Sequence, residues 1–170
     1  MDSSIIFDRY YNLSLRFLSY RPRSEKEILD YLTKKVKNQK SKGKIESQNE
    51  KIIDDSLIDR IIIKLKEYRF IDDVMFARFW VEQRTKFKRK PIRVIEYELK
   101  QKGIDREIID EVLSRFDENK EIDLENAKKL AERKLDFYRN LLPEKRHEKV
   151  KNYLLRKGFS YDTVKKILKY

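Results

Sequence analysis

Cysteine is absent from this 170-residue chain, which excludes disulfide stapling, cysteine-based zinc ribbons and thiol catalysis together, and suits a reducing compartment. Glycine and proline number three each, too few turn residues for a sandwich or barrel of many short strands. Long helices with short connections are the remaining economy, so an all-α chain is expected. The sole histidine, His147, precedes Glu148, but Lys149-Val150-Lys151 bring no second histidine at the helical zinc-protease spacing. GxxxxGK[ST] and GxGxxG are missing, so no nucleotide cradle is visible and no cofactor is expected. Nor is there a run of about 18 apolar residues. The start, Met1-Asp2-Ser3-Ser4-Ile5-Ile6-Phe7, carries an acid where a signal peptide has a base. A soluble, cytoplasmic protein with no membrane partner is the expectation.

Charge is what the chain has in quantity. Lys and Arg number 42 against 30 Asp and Glu, a formal net charge of +12, with 42% of residues charged. Hydrophobic residues still reach 39% and aromatics 12%, enough bulky apolar surface to build a core and to exclude disorder throughout. A surplus of this size attracts polyanions or acidic protein surfaces and speeds encounter with them. Nucleic acid, or a protein that lives on nucleic acid, is the leading class of partner.

The chain repeats itself. A shift of 55 residues lays Ile95, Leu99, Lys102, Gly103, Ile109, Val112 and Leu113 on Val150, Leu154, Lys157, Gly158, Val164, Ile167 and Leu168. The shared pattern is helix, glycine stop, helix. Pro91 and Pro143 stand where a first helical turn accepts proline, the glycines where a C-terminal left-handed residue is needed, and Asp105 and Ser160 where the next helix wants an N-cap. A more distant copy lies upstream: Ser24-Glu25-Lys26-Glu27 reads as a capping box, Ile28 and Leu32 match Ile95 and Leu99, and Leu57 to Ile62 match Ile108 to Leu113. The two upstream matches need different shifts, and the difference measures a 16-residue polar insertion within 37–53. Amphipathic segments at 8–19, 72–86 and 122–140 complete each copy, giving nine helices in three tandem repeats: 1–69 with the insertion, 70–118 and 119–170. Val74, Met75, Phe76, Ala77, Phe79, Trp80 and Val81 are apolar on more than one side, as in a helix buried between neighbours.

Asp54-Asp55 and Asp72-Asp73 sit at predicted helix starts, where acids cap free N–H groups and complement the macrodipole; capping is favoured over metal binding. His147 aligns with Ile92 at the edge of the core face and is assigned a structural or surface role. No catalytic or metal constellation emerges, and an enzyme is not expected. The strongest local charge feature is the stretch from Arg84 to Arg93, with six bases and no acid. A cationic loop at a helix start opposes the macrodipole and so calls for a polyanionic or acidic partner. On the following helix Arg93, Tyr97 and Lys100 lie opposite the core face, where basic and aromatic groups together can grip phosphate and stack. Arg84, Lys86, Lys88, Arg89, Lys90, Arg93, Tyr97 and Lys100 are therefore the candidate binding residues. The bases of the C-terminal copy are spread around two helices and read as diffuse attraction.

The segments Arg21-Pro22-Arg23-Ser24-Glu25-Lys26-Glu27-Ile28, Phe70-Ile71-Asp72-Asp73 with Phe76-Ala77, Leu99-Lys100-Gln101-Lys102-Gly103-Ile104 and Leu155-Arg156-Lys157-Gly158-Phe159 resemble, in order and spacing, the successive signatures of the RecX regulatory proteins. The resemblance implies tandem three-helix repeats in an elongated, curved molecule. It implies non-enzymatic binding to the RecA filament on single-stranded DNA, inhibiting recombinase, ATPase and coprotease activities in recombinational repair and the SOS response. It also implies a monomer that touches single- or double-stranded DNA only weakly through its basic surface. The family usually closes the second helix of its first repeat with Lys-Gly; here Lys35 is followed by Val36 and the insertion. The alternative reading is a stand-alone, sequence-indifferent DNA-binding protein of helix-turn-helix-like repeats. Against it, the helices that would enter a groove begin Asp105-Arg106-Glu107 and Ser160-Tyr161-Asp162, placing acids toward phosphate. An adaptor for an acidic protein unrelated to recombination is a third reading.

Overall fold

Residues that recur at helical spacing in the sequence become the buried stripes of helices in a computed structural model, which describes residues 3–40, 55–117 and 121–169. The order is α1 (Ser3–Leu18), α2 (Glu25–Lys40), α3 (Asp55–Glu67), α4 (Asp73–Glu82), a π-helical turn (Gln83–Phe87), α5 (Ile92–Gln101), α6 (Arg106–Asp117), α7 (Glu121–Phe137), α8 (Pro143–Lys157) and α9 (Tyr161–Leu168). The described residues contain no strand, and the chain is all-α. None of these helices is long and apolar enough to cross a membrane. The first helix starts five residues before the expected 8–19 segment, because Ile6 continues its buried face one turn upstream. The polar 37–53 stretch is not loop from its outset: α2 runs on through Lys40, extending past buried Val36, and 41–53 lie outside the described residues, as does Asp54.

Two compact units divide the chain. The first comprises 1–76 with 102–104. Its core joins Ile6 and Tyr10 of α1, Ile28 and Leu32 of α2, and Leu57, Ile61 and Leu65 of α3, all nearly or fully buried. At about 1.5–3 kcal/mol for each large apolar side chain removed from water, this cluster supplies the unit's main favourable term. The second comprises 77–101 with 105–170. Here Ile95 and Leu99 of α5 are buried with Ile109 and Val112 of α6, and Ala127, Leu130, Ala131, Val150, Leu154, Phe159, Val164 and Leu168 form the core of α7, α8 and α9. In α4, Phe76, Ala77, Trp80 and Val81 are buried and Val74 and Phe79 half-buried, but Met75 is exposed, so that helix is covered on fewer sides than its composition suggests.

Helix ends follow the side chains available to cap them. Ser24 and Glu27 form the reciprocal box, with Glu27 N–H donating to Ser24 Oγ at 3.3 Å and Ser24 N–H to the Glu27 carboxylate at 3.4 Å. Ser160 Oγ accepts from Thr163 N–H at 3.1 Å, and Asp72 Oδ1 from Met75 N–H at 2.9 Å. Gly158, at φ +95°, ends α8 in a Schellman motif: its own N–H reaches the Leu155 carbonyl and Phe159 N–H the Leu154 carbonyl. The same pair of bonds closes α3, from Arg69 to Lys66 and from Phe70 to Leu65, but with Arg69 at φ +55° in the place glycine prefers.

One joint occurs twice, once in each unit. In the first, Asp73 Oδ1 accepts from the free Glu25 N–H at the start of α2 at 2.9 Å, and Ser24 Oγ donates to the Lys102 carbonyl at 2.7 Å. Gly103, at φ +75°, lies so close to Lys26 that a Cβ would come within 2.7 Å of its stem. In the second, Asp123 Oδ1 accepts from Ile92 N–H at the start of α5 at 3.0 Å, and the Arg93 guanidinium donates to the Gly158 and Phe159 carbonyls. A Cβ on Gly158 would stand 2.4 Å from Val94 Cγ2. Orphan N–H groups of one helix thus meet an aspartate, and orphan carbonyls after another meet the same helix start, which satisfies both sets and aligns opposite dipole ends.

Two predictions follow from this joint. Replacing Gly158 with Ala combines a left-handed backbone cost of about 1–2 kcal/mol with a clash, so urea unfolding should show a loss above about 2 kcal/mol, with Val94→Ala restoring only part. Glu27, hydrogen-bonded to Arg21 at 2.7 Å and to Lys102, is raised by burial but lowered more strongly by those bonds and charges, to about 2. Because folding depresses this pKa, its stabilisation is complete above the ordinary carboxylate value and lost as pH falls toward 2. The stability gap between the parent and Glu27→Gln should therefore be widest near neutrality and close on acidification.

Candidate basic interface

The basic stretch is assembled by the end of α4, the π-helical turn and α5. Thr85 is buried, and its hydroxyl donates back to the Val81 carbonyl at 2.8 Å, with the Glu82 carbonyl also within 3.2 Å. Such back-bonding loosens the regular ladder and accompanies the wide turn that carries Arg84 and Lys86. Lys90 N–H closes the segment onto the Arg84 carbonyl at 3.0 Å, and Arg89 takes φ +49° between them.

Glu98 of α5 is the electrostatic centre of this region. One of its oxygens accepts from Trp80 Nε1 at 2.9 Å and from Arg84 Nε at 2.8 Å, while the other accepts from Lys90 Nζ. The Arg84 guanidinium also lies 3.8 Å above the Trp80 ring. Burial pushes the Glu98 carboxyl up, but the bonds and charges of Lys90 and Arg84 outweigh it and hold the group below its ordinary value. Lys86 pairs with Glu82, and Lys100 with Glu96, each across one helical turn. Arg93 is spent on the Gly158 and Phe159 carbonyls.

The candidate residues are therefore brought together, and part of their charge is answered from within, by Glu82, Glu96 and Glu98. Glu82, four residues from Lys86, is a local partner, whereas Glu98, 14 residues from Arg84 across the wide turn, is not. Among the described residues of the basic stretch Lys88, Arg89 and Arg93 form no ion pair, Arg93 being bonded to backbone carbonyls instead, and Tyr97 stands exposed beside the Arg93 and Lys100 positions. Asp72 and Asp73 act as caps, His147 is exposed with Nδ1 2.7 Å from the Pro143 carbonyl, and no group of three or more metal-ligating side chains occurs among the described residues.

A second basic surface lies where diffuse charge was expected. Lys145, Lys149, Asn152 and Arg156 of α8 line one concavity of about 350 Å³ with Tyr138 and Glu148. Their spacing of four, three and four residues is a single helical stripe, a signal legible in the sequence once α8 is drawn as one helix. Counting bases over both helices conceals it.

Comparison with known proteins adds a family to this geometry. The model described as RecX, first three-helix domain, matches residues 11–36; the second-domain model matches 72–113 and the third 121–168. The chain belongs to the RecX family. It is 36% identical over 151 residues to the regulatory protein RecX of Bacillus licheniformis, covering 89% of this chain and 51% of the relative. It is 34% identical over 158 residues to that of Streptococcus pyogenes serotype M5, covering 92% and 53%. The chain thus spans about half the length of the curated relatives it matches. A crystal structure of RecX from Lactobacillus salivarius superposes with a TM-score of 0.68 at 28% identity, over 96% of this chain and 94% of that one. A second, titled regulatory protein RecX, gives 0.69 at 29% identity, over 96% and 72%.

The RecX-family chain carries its own test of the basic stretch. Lys90→Glu places a carboxylate against Glu98 and should lower the melting temperature by several degrees, whereas Lys88→Glu, with no internal partner, should leave it within about a degree. Thermal melts of the two single variants distinguish a compensated base from a free one.

Proposed function

We propose that the chain is a non-enzymatic regulator that binds the RecA filament on single-stranded DNA and restrains its recombinase, ATPase and coprotease activities in the cytoplasm, acting as a monomer. The observation that carries the reading is the match of three RecX domain models, in chain order, to residues between 11 and 168. We propose the repeat boundaries at 69/70 and 118/119 on the same footing. A filament presents the same surface again and again, so a protein of tandem repeats can engage it at several points and gain affinity through effective concentration. Net charge of +12 favours capture by a nucleoprotein polymer at low salt. Within the first basic region, Lys88 and Arg89 are the bases available to an outside partner.

The test is titration against RecA-dependent ATP hydrolysis and strand exchange. Both should fall in a concentration-dependent manner, and the Lys88→Ala, Arg89→Gly variant should inhibit several-fold less while remaining helical, since glycine suits the left-handed Arg89 backbone. No effect of the parent on either reaction, at concentrations where it leaves bare DNA unbound, would reject the reading.

A further inference from the structure

On a chain of net charge +12, the groove between α1 and α3 of the first repeat is lined by two acids and two bases. We propose that this groove is a self-association face, on which a second copy of the chain seats its own α1 and α3 about a two-fold axis, with Asp8 and Glu67 of each copy meeting Arg60 and Lys64 of the other.

The groove has the form that receives helices. Its concavity, of about 420 Å³, takes Arg60, Ile63, Lys64 and Glu67 from α3, the spacing of a single helical stripe, and Phe7 and Asp8 from α1. Ile63 is 55% exposed, and Phe7, stacked on Tyr11 at 5.9 Å, is half-buried, so the two helices offer apolar surface together with charge. A helix pair with such a face can pack on another pair as in a four-helix bundle.

In the second repeat the corresponding place is closed from within. Ser14 Oγ donates to the Tyr10 carbonyl at 3.0 Å and Thr85 Oγ1 to that of Val81 at 2.8 Å, matched bonds that set Phe7 of α1 against Arg78 of α4. The match of Leu57 to Ile62 with Ile108 to Leu113 sets Arg60 against Glu111. Arg78 and Glu111 form an ion pair at 3.1 Å between α4 and α6. In the first repeat the same two places hold Phe7 and Arg60, whose guanidinium lies 5.3 Å from the ring centre. Lys64 Nζ lies 5.2 Å from that ring and 4.9 Å from the ring of Tyr11. These cations rest on rings rather than carboxylates, and Asp8, Arg60, Lys64 and Glu67 form no ion pair among the described residues. Two acids and two bases are thus left for an outside surface.

Charge decides what that surface is. A two-fold contact sets a face against itself, so a face of one sign repels its own copy. The α8 concavity, with Lys145, Lys149 and Arg156 beside Glu148, is of that kind. The α1–α3 groove instead gives every acid a base of the second copy and leaves no charge over. A strongly acidic protein or a nucleic acid would meet Asp8 and Glu67 with like charge, which counts against both. One groove is a small contact, so the dimer is a weak one, dissociating at about tens of micromolar. The acting form in the proposed function is the monomer, and pairing sets how much of it is free when the chain is abundant. The pairing itself does not rest on that reading, and its test omits the recombinase.

The full chain is followed by sedimentation equilibrium from about 2 to about 200 μM in about 150 mM NaCl, where a Debye length of about 8 Å screens the +12 of each copy but spares groups in contact. The parent should pass from monomer to dimer over that range. The Arg60→Glu, Lys64→Glu variant and the Asp8→Lys, Glu67→Lys variant should each dimerise at least about tenfold more weakly, because every meeting across the axis becomes like-charged. Mixed in equal amounts, the two should pair at least as tightly as the parent, since one groove is then wholly acidic and the other wholly basic. Ile63→Ser, which leaves the charges alone, should weaken the parent dimer several-fold, and it carries the test if a double reversal lowers helicity by circular dichroism. A parent that is monomeric throughout would overturn the proposal and leave the groove to a different protein. Unchanged dimerisation in both reversed variants, or in Ile63→Ser, would place the contact on another face and overturn it equally. So would two helical reversed variants that lose dimerisation but fail to pair when mixed, because the groove would then not be self-complementary.

Discussion

The structure depends on a close approach that only glycine permits. After a second helix the chain turns left-handed at Gly103 or Gly158, and the backbone there is pressed against the first turn of another second helix, at Lys26 or Val94. An aspartate from a first helix, Asp73 or Asp123, takes the free N–H at that same turn. Steric room, hydrogen-bond satisfaction and dipole alignment therefore coincide at one place, and each demands a particular residue. With three glycines in the whole chain, two are spent on this contact. Core residues such as Leu32, Leu99 and Leu154 supply the bulk of the burial, but they set no angle; the joint does.

Charge is distributed by the same logic. Glu98 is held between Trp80, Arg84 and Lys90, so a stretch that reads as the most cationic of the sequence is partly neutralised in space. Arg93 has become a brace for the end of α8. Among the described residues Lys88 and Arg89 of that stretch form no ion pair, nor do Lys145, Lys149 and Arg156 of α8, which share the concavity beside Tyr138.

Much of this was legible beforehand, for reasons that particular residues make clear. The repeat showed through Gly103 and Gly158, the helix starts through Ser24 and Ser160, and the capping role of Asp72 through its position ahead of an apolar run; all are local signals within one or two turns. The wide turn at 83–87 was not legible, because it depends on where Thr85 points its hydroxyl. Nor were the partners of Glu98, which lies 14 residues from Arg84, or the service that Asp123 performs for Ile92, 31 residues away. Those contacts exist only once helices pack. The α8 stripe was present as a pattern of four, three and four but was masked by the overall abundance of lysine.

Membership of the RecX family shows a regulatory protein, and the proposal built on it is one of occupying a polymer rather than transforming a substrate. Co-sedimentation with preformed RecA filaments on single-stranded DNA, with and without nucleotide, tests this most directly. The account predicts saturable recovery of the chain in the filament pellet, with little when RecA is supplied without DNA and nucleotide. A chain that stays in the supernatant with filaments at every concentration, in low salt as well as high, would contradict it.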